Sequence, residues 1–324
     1  MEKMKCIMVR KIGSFDVAST KIRPPTEDEV LIRVEGAGVC RTDLKLIREG
    51  HRDLVLPRIP GEEVVGSVHR TGIAVSNFKE GDRVYVYPGV WCGKCPACRS
   101  GAENLCRDMR IMGFHRDGGF AEYVTVPARS IIAVPEGLKA EHAVFAEPLS
   151  CCLNALELGA SGMGKTIAIW GAGPAGTLLF RAASALGAVP VCIEPDDQRR
   201  QRINGIKRTA DEKYDLCIVA VGSKSAYEEA LASLNPRGRL VVFSGLRPAE
   251  PALSVDFNRL HYFEQTIVGA YGCAYRQGIS ALDLIHNGRI VVEDLISHRM
   301  QLDELETALR LVEERQSMKI ILRP

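Results

Sequence analysis

From Thr166 to Gly176 the chain reads TIAIWGAGPAG, and TLLFRAASALGA follows directly, ending at Ala188. A short continuous apolar run, a turn holding Gly171, Gly173 and Gly176, and an amphipathic stretch thus stand in that order. The run predicts a strand buried on both faces, and the stretch after the turn predicts a helix, with Gly187 as its terminator. The glycines match G-x-G-x-x-G where the pattern is informative, between the end of a strand and the start of a helix. Gly171 permits the tight turn, Gly173 lets a pyrophosphate approach the backbone, and Gly176 lets the helix pack closely on the sheet. Ala172, Pro174 and Ala175 complete the loop expected to hold a dinucleotide.

The next apolar run, VPVCIE, ends in Glu194, eighteen residues past Gly176, where a carboxylate accepts hydrogen bonds from adenosine ribose hydroxyls. This favours NAD over NADP, whose 2′-phosphate would meet Glu194 as a like charge, although Arg199 and Arg200 stand close by. DLCIVAVG, RLVVFSG and TIVGAY continue the alternation of buried runs and amphipathic stretches, and Val221 and Gly222 close the first of these on the cofactor side. The expected fold class is α/β, with a Rossmann-type, doubly wound parallel-sheet domain over residues 151–278. A second phosphate-loop pattern overlaps the first: Gly159, Gly164, Lys165 and Thr166 satisfy G-x4-G-K-[ST]. That motif needs a strand before it and a helix after it, whereas the helical SCCLNALELG precedes and the strand TIAIW follows, so Lys165 reads as a solvated turn residue.

At 324 residues the chain exceeds one ordinary core, and a second domain is expected. Residues 1–150 supply short strands broken by turns (KCIMVR, EVLIRVEGAGV, EVVGSVHR, DRVYVYP, EYVTVPARSIIAVP), with the C-terminal segment 279–324 completing that β domain. In the last helix, DELETALRLVEE, Leu305, Leu309 and Val312 share one face, and KIILRP closes the chain as a strand. Forty-two Lys and Arg against 40 Asp and Glu give a net charge of +2 with no basic block, which gives no reason to expect nucleic acid or an anionic membrane. No apolar run approaches the roughly 18 residues of a membrane span, so a cytoplasmic location is expected.

Eleven cysteines in a chain of this size point to metal or catalytic thiolates rather than a disulfide framework. Cys92, Cys95, Cys98 and Cys106 follow C-x2-C-x2-C-x7-C, with Gly93, Pro96, Ala97 and Gly101 letting a short loop wrap until four sulfurs converge on one ion. Four thiolates leave no open coordination position, so the site is structural. A ferredoxin-type iron–sulfur run opens with the same spacing but closes with x3 and a proline, which are missing here. Zinc is the expected ion.

These pieces, with GVCRTD at Gly38–Asp43, GEEVVG at Gly61–Gly66, GGFAEYV at Gly118–Val124 and AEPLS at Ala146–Ser150, resemble the zinc-containing medium-chain alcohol dehydrogenase family along nearly the whole chain. The AEPLS segment looks like its polyol and threonine dehydrogenase branch. The resemblance implies a GroES-like β domain for residues 1–150, a homodimer or homotetramer, and a small alcohol or ketone substrate. It implies Cys40 and Glu147 as ligands of a catalytic zinc and Thr42 as the hydroxyl that passes the substrate proton outward.

Two departures matter. Where the family carries a zinc-binding histidine, this chain has Glu62, followed by Glu63. Zinc with Cys40, Glu62 and Glu147 sums to minus one instead of zero, which weakens stabilisation of an alkoxide, and Asp43 would face a carboxylate instead of orienting a histidine. Either Glu62 or Glu63 ligates zinc, or a harder divalent metal takes its place, or the catalytic metal is absent. The leading expectation is NAD-linked, metal-assisted oxidation of a secondary alcohol such as a polyol, cyclitol or amino alcohol. The alternatives are a metal-free NAD(P)H reductase of an activated double bond and a nucleotide-binding protein without catalysis. The second departure lies between Arg202 and Asp215, where INGIKRTADEKY is too short for the strand and helix that relatives carry there. Among seven scattered histidines, only His115 has neighbours that suggest the substrate cleft.

Overall fold

The computed structural model describes residues 2–206, 212–246 and 252–324. The chain divides into two compact units, Met1–Glu147 with Ala274–Pro324, and Pro148–Cys273.

The first unit is built on a seven-stranded sheet. Its path runs Ile296–Gln301, Lys319–Arg323, Glu29–Val39, Glu63–Thr71, Arg83–Val86, Ile131–Ala133, with Tyr123–Pro127 also pairing Glu29–Val39. A separate hairpin joins Lys3–Lys11 to Ser14–Lys21. Branched residues pack between these layers: Ile7, Val30, Ile32, Val64, Val84 and Ile320 are fully buried. The helix Leu305–Glu313 closes this core with Leu305, Ala308 and Leu309, while Val312 packs at its margin. The C-terminal strand runs antiparallel to Glu29–Val39, with Ile320 opposite Val39 and Ile321 opposite Gly38. On its other side Glu29–Val39 sets Gly38 opposite Glu63. The register therefore draws Cys40, Glu63 and Lys319 to one end of three adjacent strands.

The second unit holds a five-stranded parallel sheet in the order Val189–Ile193, Thr166–Trp170, Tyr214–Val219, Leu234–Val242, Thr266–Gly269. Strand order reverses on either side of Thr166–Trp170, and in such sheets ligands bind at the carboxyl ends beside that switch point. A parallel bridge between Ile193 and Ile206 is all that the described residues retain of a further strand beyond Val189–Ile193. Residues 207–211 of the shortened INGIKRTADEKY stretch lie outside the described residues. The second glycine-lysine pattern falls between the helix Ala146–Leu158 and the strand Thr166–Trp170. Thr166 there bonds Asp215 through both its N–H and its hydroxyl, at 3.0 Å each, and it is the first residue of an interior strand of the sheet. No helix among the described residues is long and apolar enough to cross a membrane.

Candidate active site and metal centre

The dinucleotide turn forms where the strand Thr166–Trp170 ends. Gly171 adopts φ +105°, a left-handed conformation that suits glycine. A Cβ on Gly176 would lie 1.7 Å from the Gly171 carbonyl oxygen, so this glycine is what lets the helix Pro174–Ala185 start directly over the turn. Val221 stands across from Gly171, and Gly222 follows it at the end of the neighbouring strand.

Glu194 is buried at the tip of its strand, and its carboxylate accepts hydrogen bonds from the Ala172 N–H (2.7 Å) and the Asp196 N–H (3.0 Å). Two backbone donors fix its orientation, and a carboxylate has lone pairs for about two more. The two neighbouring arginines divide. Arg200 donates to the carbonyls of Glu194 and Pro195 and pairs with Asp197, so it is spent on the loop. Arg199 reaches across the turn, its Nη1 3.8 Å from where a Gly173 side chain would begin. Cys192 lies beneath, donating to the Gly171 carbonyl at 3.4 Å; burial, and then the charge of Glu194, push its thiol up to about 12.

The four-cysteine lobe brings Cys92, Cys95, Cys98 and Cys106 together with all four sulfurs within 4.8 Å of one another. The Cys92–Cys98 and Cys95–Cys98 sulfur separations are 3.9 and 3.4 Å. A tetrahedral zinc with about 2.3 Å bonds sets its sulfurs about 3.8 Å apart, so the donor set fits. Backbone N–H groups of Cys92 and Asp108 point at Cys106 Sγ, and that of Cys95 points at Cys92 Sγ, at 3.3–3.4 Å. Such donors favour thiolates. Chelating this ion, or substituting Cys95→Ser, is expected to remove about one zinc per chain and more than about 4 kcal/mol from the first unit. Metal analysis beside urea unfolding checks this.

The third cluster departs from the expected catalytic set. Cys40 precedes the helix Arg41–Arg48, and its N–H donates to Asp43 Oδ2 at 2.9 Å. Burial, followed by the charges of Asp43, Glu63 and Glu62, raises the Cys40 thiol well above its ordinary range. Burial also pushes Asp43 up to about 6. Thr42 is exposed on the first turn of the same helix. Glu63 offers both carboxylate oxygens to Lys319 Nζ, at 2.6 Å each, and the two side chains are 2% and 3% exposed. Burial alone would lower the Lys319 ammonium, but the charges of Glu63 and Cys40 outweigh it and raise it. The carboxylate fits because the facing residue is Gly38, where a Cβ would lie 1.9 Å from Glu63 Oε2.

Glu63 is therefore a buried ion-pair partner, which leaves Glu62, half-buried beside it, in the place of the family histidine. Among the described residues, Cys40, Glu62, Glu63 and Glu147 are not gathered into a metal-binding group with ligand atoms within 4.8 Å of one another. The residues implied for a catalytic zinc thus do not fit it as a set, and no chemical step is assigned to that ion. Lys319 carries no motif, although a lone cation opening the otherwise apolar KIIL run is a signal. His115, singled out for the cleft, accepts the Ile111 N–H on Nδ1 at 3.2 Å and fastens its own loop.

Comparison with known proteins agrees with this architecture. The alcohol dehydrogenase GroES-like domain matches residues 26–136, and the zinc-binding dehydrogenase domain matches residues 180–287. The chain is 32% identical to the L-threonine 3-dehydrogenase of Pyrococcus horikoshii, over 99% of this chain and 98% of that one. It is 28% identical to the sorbitol dehydrogenase of Bacillus subtilis, over 95% and 93%. A zinc-binding dehydrogenase from Sinorhizobium meliloti, solved with NADP, superposes with a TM-score of 0.93 at 29% identity over the full length of both chains. The RspB protein of Escherichia coli, solved with NADH, gives 0.92 at 27% identity over 99% of each. The chain belongs to the zinc-type medium-chain alcohol dehydrogenase family, a class of nicotinamide-dependent oxidoreductases.

Proposed function

We propose that this chain transfers hydride between NAD(H) and a secondary alcohol or its ketone, of the polyol, cyclitol or amino alcohol type. The observation that carries the reading is Glu194, held by the Ala172 N–H at the mouth of the glycine turn. Its two remaining acceptor positions suit the paired hydroxyls of an adenosine ribose, and the N-terminus of the helix Pro174–Ala185 suits the pyrophosphate. When bound, the nicotinamide supplies the hydride acceptor. Thr42, exposed on its helix, is assigned the outward passage of the substrate proton.

NAD is preferred because Glu194 repels a 2′-phosphate, with Arg199 tempering that repulsion. Glu194→Ala is expected to weaken NAD binding 10- to 100-fold, the loss of hydrogen bonds to one charged group, and to narrow the gap to NADP. Fluorescence titration with NADH and NADPH reads both.

Initial rates of NAD reduction with sorbitol, L-threonine and a series of cyclitols test the reaction. Absence of NAD reduction with every alcohol, beside NADPH oxidation by an enone, overturns it. That outcome favours the second reading, a metal-free reductase, which draws support from Glu62 at the histidine position and from the ungathered catalytic set.

A second copy of the chain is the proposed protein partner. The strand Thr266–Gly269 ends its sheet, and the adjacent helix Phe257–Phe263 leaves Phe257 and Tyr262 78% and 77% exposed. Light scattering should give at least twice the 35.5 kDa chain mass. A monomer would exclude the assembly.

A further inference from the structure

Of the six cysteines outside the lobe and Cys40, four have packing roles. Burial drives the thiols of Cys6, Cys192 and Cys217 upward, which leaves them inert, and Cys152 Sγ points at the Ala175 carbonyl at 3.6 Å. Cys151 and Cys273 differ. Their sulfur atoms lie within 4.8 Å of each other although 122 positions separate them in sequence.

One face of one helix builds this arrangement. Glu147, Cys151 and Asn154 stand at i, i+4 and i+7 of the helix Ala146–Leu158, so they share a stripe along it. Glu147 closes the first unit in sequence, but it stands in the first turn of a helix that the second unit continues. Its place beside Cys151 is therefore set within that helix, with ligand atoms within 4.8 Å. Asn154 is buried and donates its amide to the carbonyl oxygens of Gly272 (2.9 Å) and Tyr271 (3.5 Å). These bonds tie the segment before Cys273 to the helix and hold Cys273 over Cys151. Cys273 is buried and Cys151 half-buried, so the pair is sheltered from bulk solvent.

We infer that Cys151, Cys273 and Glu147 form a divalent metal site, selective for zinc or another thiophilic ion, with Asn154 as its positioning residue. Two thiolates and one carboxylate make a three-ligand set that leaves a fourth position open, the arrangement of zinc sites that bind an exchangeable ligand. On binding, each thiol releases its proton to water as its sulfur–metal bond forms. Of the ligands implied by the family resemblance, only Glu147 takes part. The glutamate that replaces the family histidine is then no longer required as a ligand. The inference stands apart from the proposed hydride transfer: a metal held here without alcohol oxidation overturns that reaction alone, and alcohol oxidation with no metal here overturns this site alone.

Zinc per chain, measured by mass spectrometry on the purified full-length protein, tests the site. Wild type and Cys40→Ser should each carry about two ions, one of them in the lobe, and Cys151→Ser and Cys273→Ser about one. Asn154→Ala should hold the second ion more weakly on titration with zinc, while NADH binding by the same unit persists. A single ion in the wild type, or loss of the second ion in Cys40→Ser with retention in Cys151→Ser, overturns the site. A measurement on unmutated protein guards against misfolded variants. Zinc should protect Cys151 from iodoacetamide in mass-mapped digests and chelation should expose it; labelling that ignores chelation also overturns the inference.

Discussion

Lys319→Met should cost the first unit about 3–5 kcal/mol and move its urea midpoint accordingly, making it among the most damaging single substitutions in the chain. The reason is the surroundings of Glu63. Its carboxylate is 2% exposed, both oxygens meet the ammonium at 2.6 Å, and the facing Gly38 leaves no space for a replacement partner. Removing the cation strands a buried charge. Adding Glu63→Gln to Lys319→Met should recover more than half of the loss, since the penalty comes from the unpaired carboxylate and not from the missing ammonium. Lys319→Arg should fall between, because a planar fork does not fit a point-charge seat. Equal stability of the Lys319→Met variant and the wild type would mean that water reaches Glu63 in solution.

Gly176→Ala should weaken NADH binding at least about 100-fold, close to 3 kcal/mol, in a fluorescence titration. The added methyl would stand 1.7 Å from the Gly171 oxygen and 2.8 Å from its carbonyl carbon. Either the turn opens or the helix Pro174–Ala185 moves off it, and both separate the helix N-terminus from the phosphate position. Zinc in the four-cysteine lobe should be unaffected, because the lobe belongs to the other unit. Retained affinity would show that this turn does not seat the pyrophosphate. Gly176→Ala and Glu194→Ala act at opposite ends of one site. The first should weaken NAD and NADP alike, and the second should weaken NAD more.

The features legible in the sequence are those whose geometry is local. The glycine turn spans six residues, Gly171–Gly176, and the lobe fifteen, Cys92–Cys106. Over such lengths, spacing and turn-forming residues nearly dictate where atoms fall, and the context of strand, turn and helix separated the dinucleotide turn from the overlapping Gly159–Thr166 pattern. Buried apolar runs revealed the parallel sheet for the same reason, since each run carries its own burial pattern. Spacing also marked the stretch after Arg202 as short; Ile206 there bridges Ile193, and residues 207–211 lie outside the described residues.

The side-chain clusters outside the lobe were not legible in this way. Glu62 and Glu63 are adjacent, chemically identical, and equal candidates in sequence. Strand register separates them, because pairing with Glu29–Val39 turns Glu63 inward to Lys319 while Glu62 remains half-buried. Cys151 and Cys273 carry no motif, and the Asn154 bonds to the 271–272 segment help bring them together.

The amino-acid sequence by itself determined the two-domain α/β architecture, the glycine turn with Glu194 beyond it and the four-cysteine lobe, since each is written in contiguous spacing and hydrophobic period. Only the tertiary structure decided which carboxylate meets Lys319, that the expected catalytic ligands are not gathered, and that Cys273 meets Cys151, which shares a helix face with Glu147. The Lys319–Glu63 and Cys151–Cys273 pairs join residues more than a hundred positions apart, and sheet register and side-chain hydrogen bonds, which no local pattern encodes, set their distances.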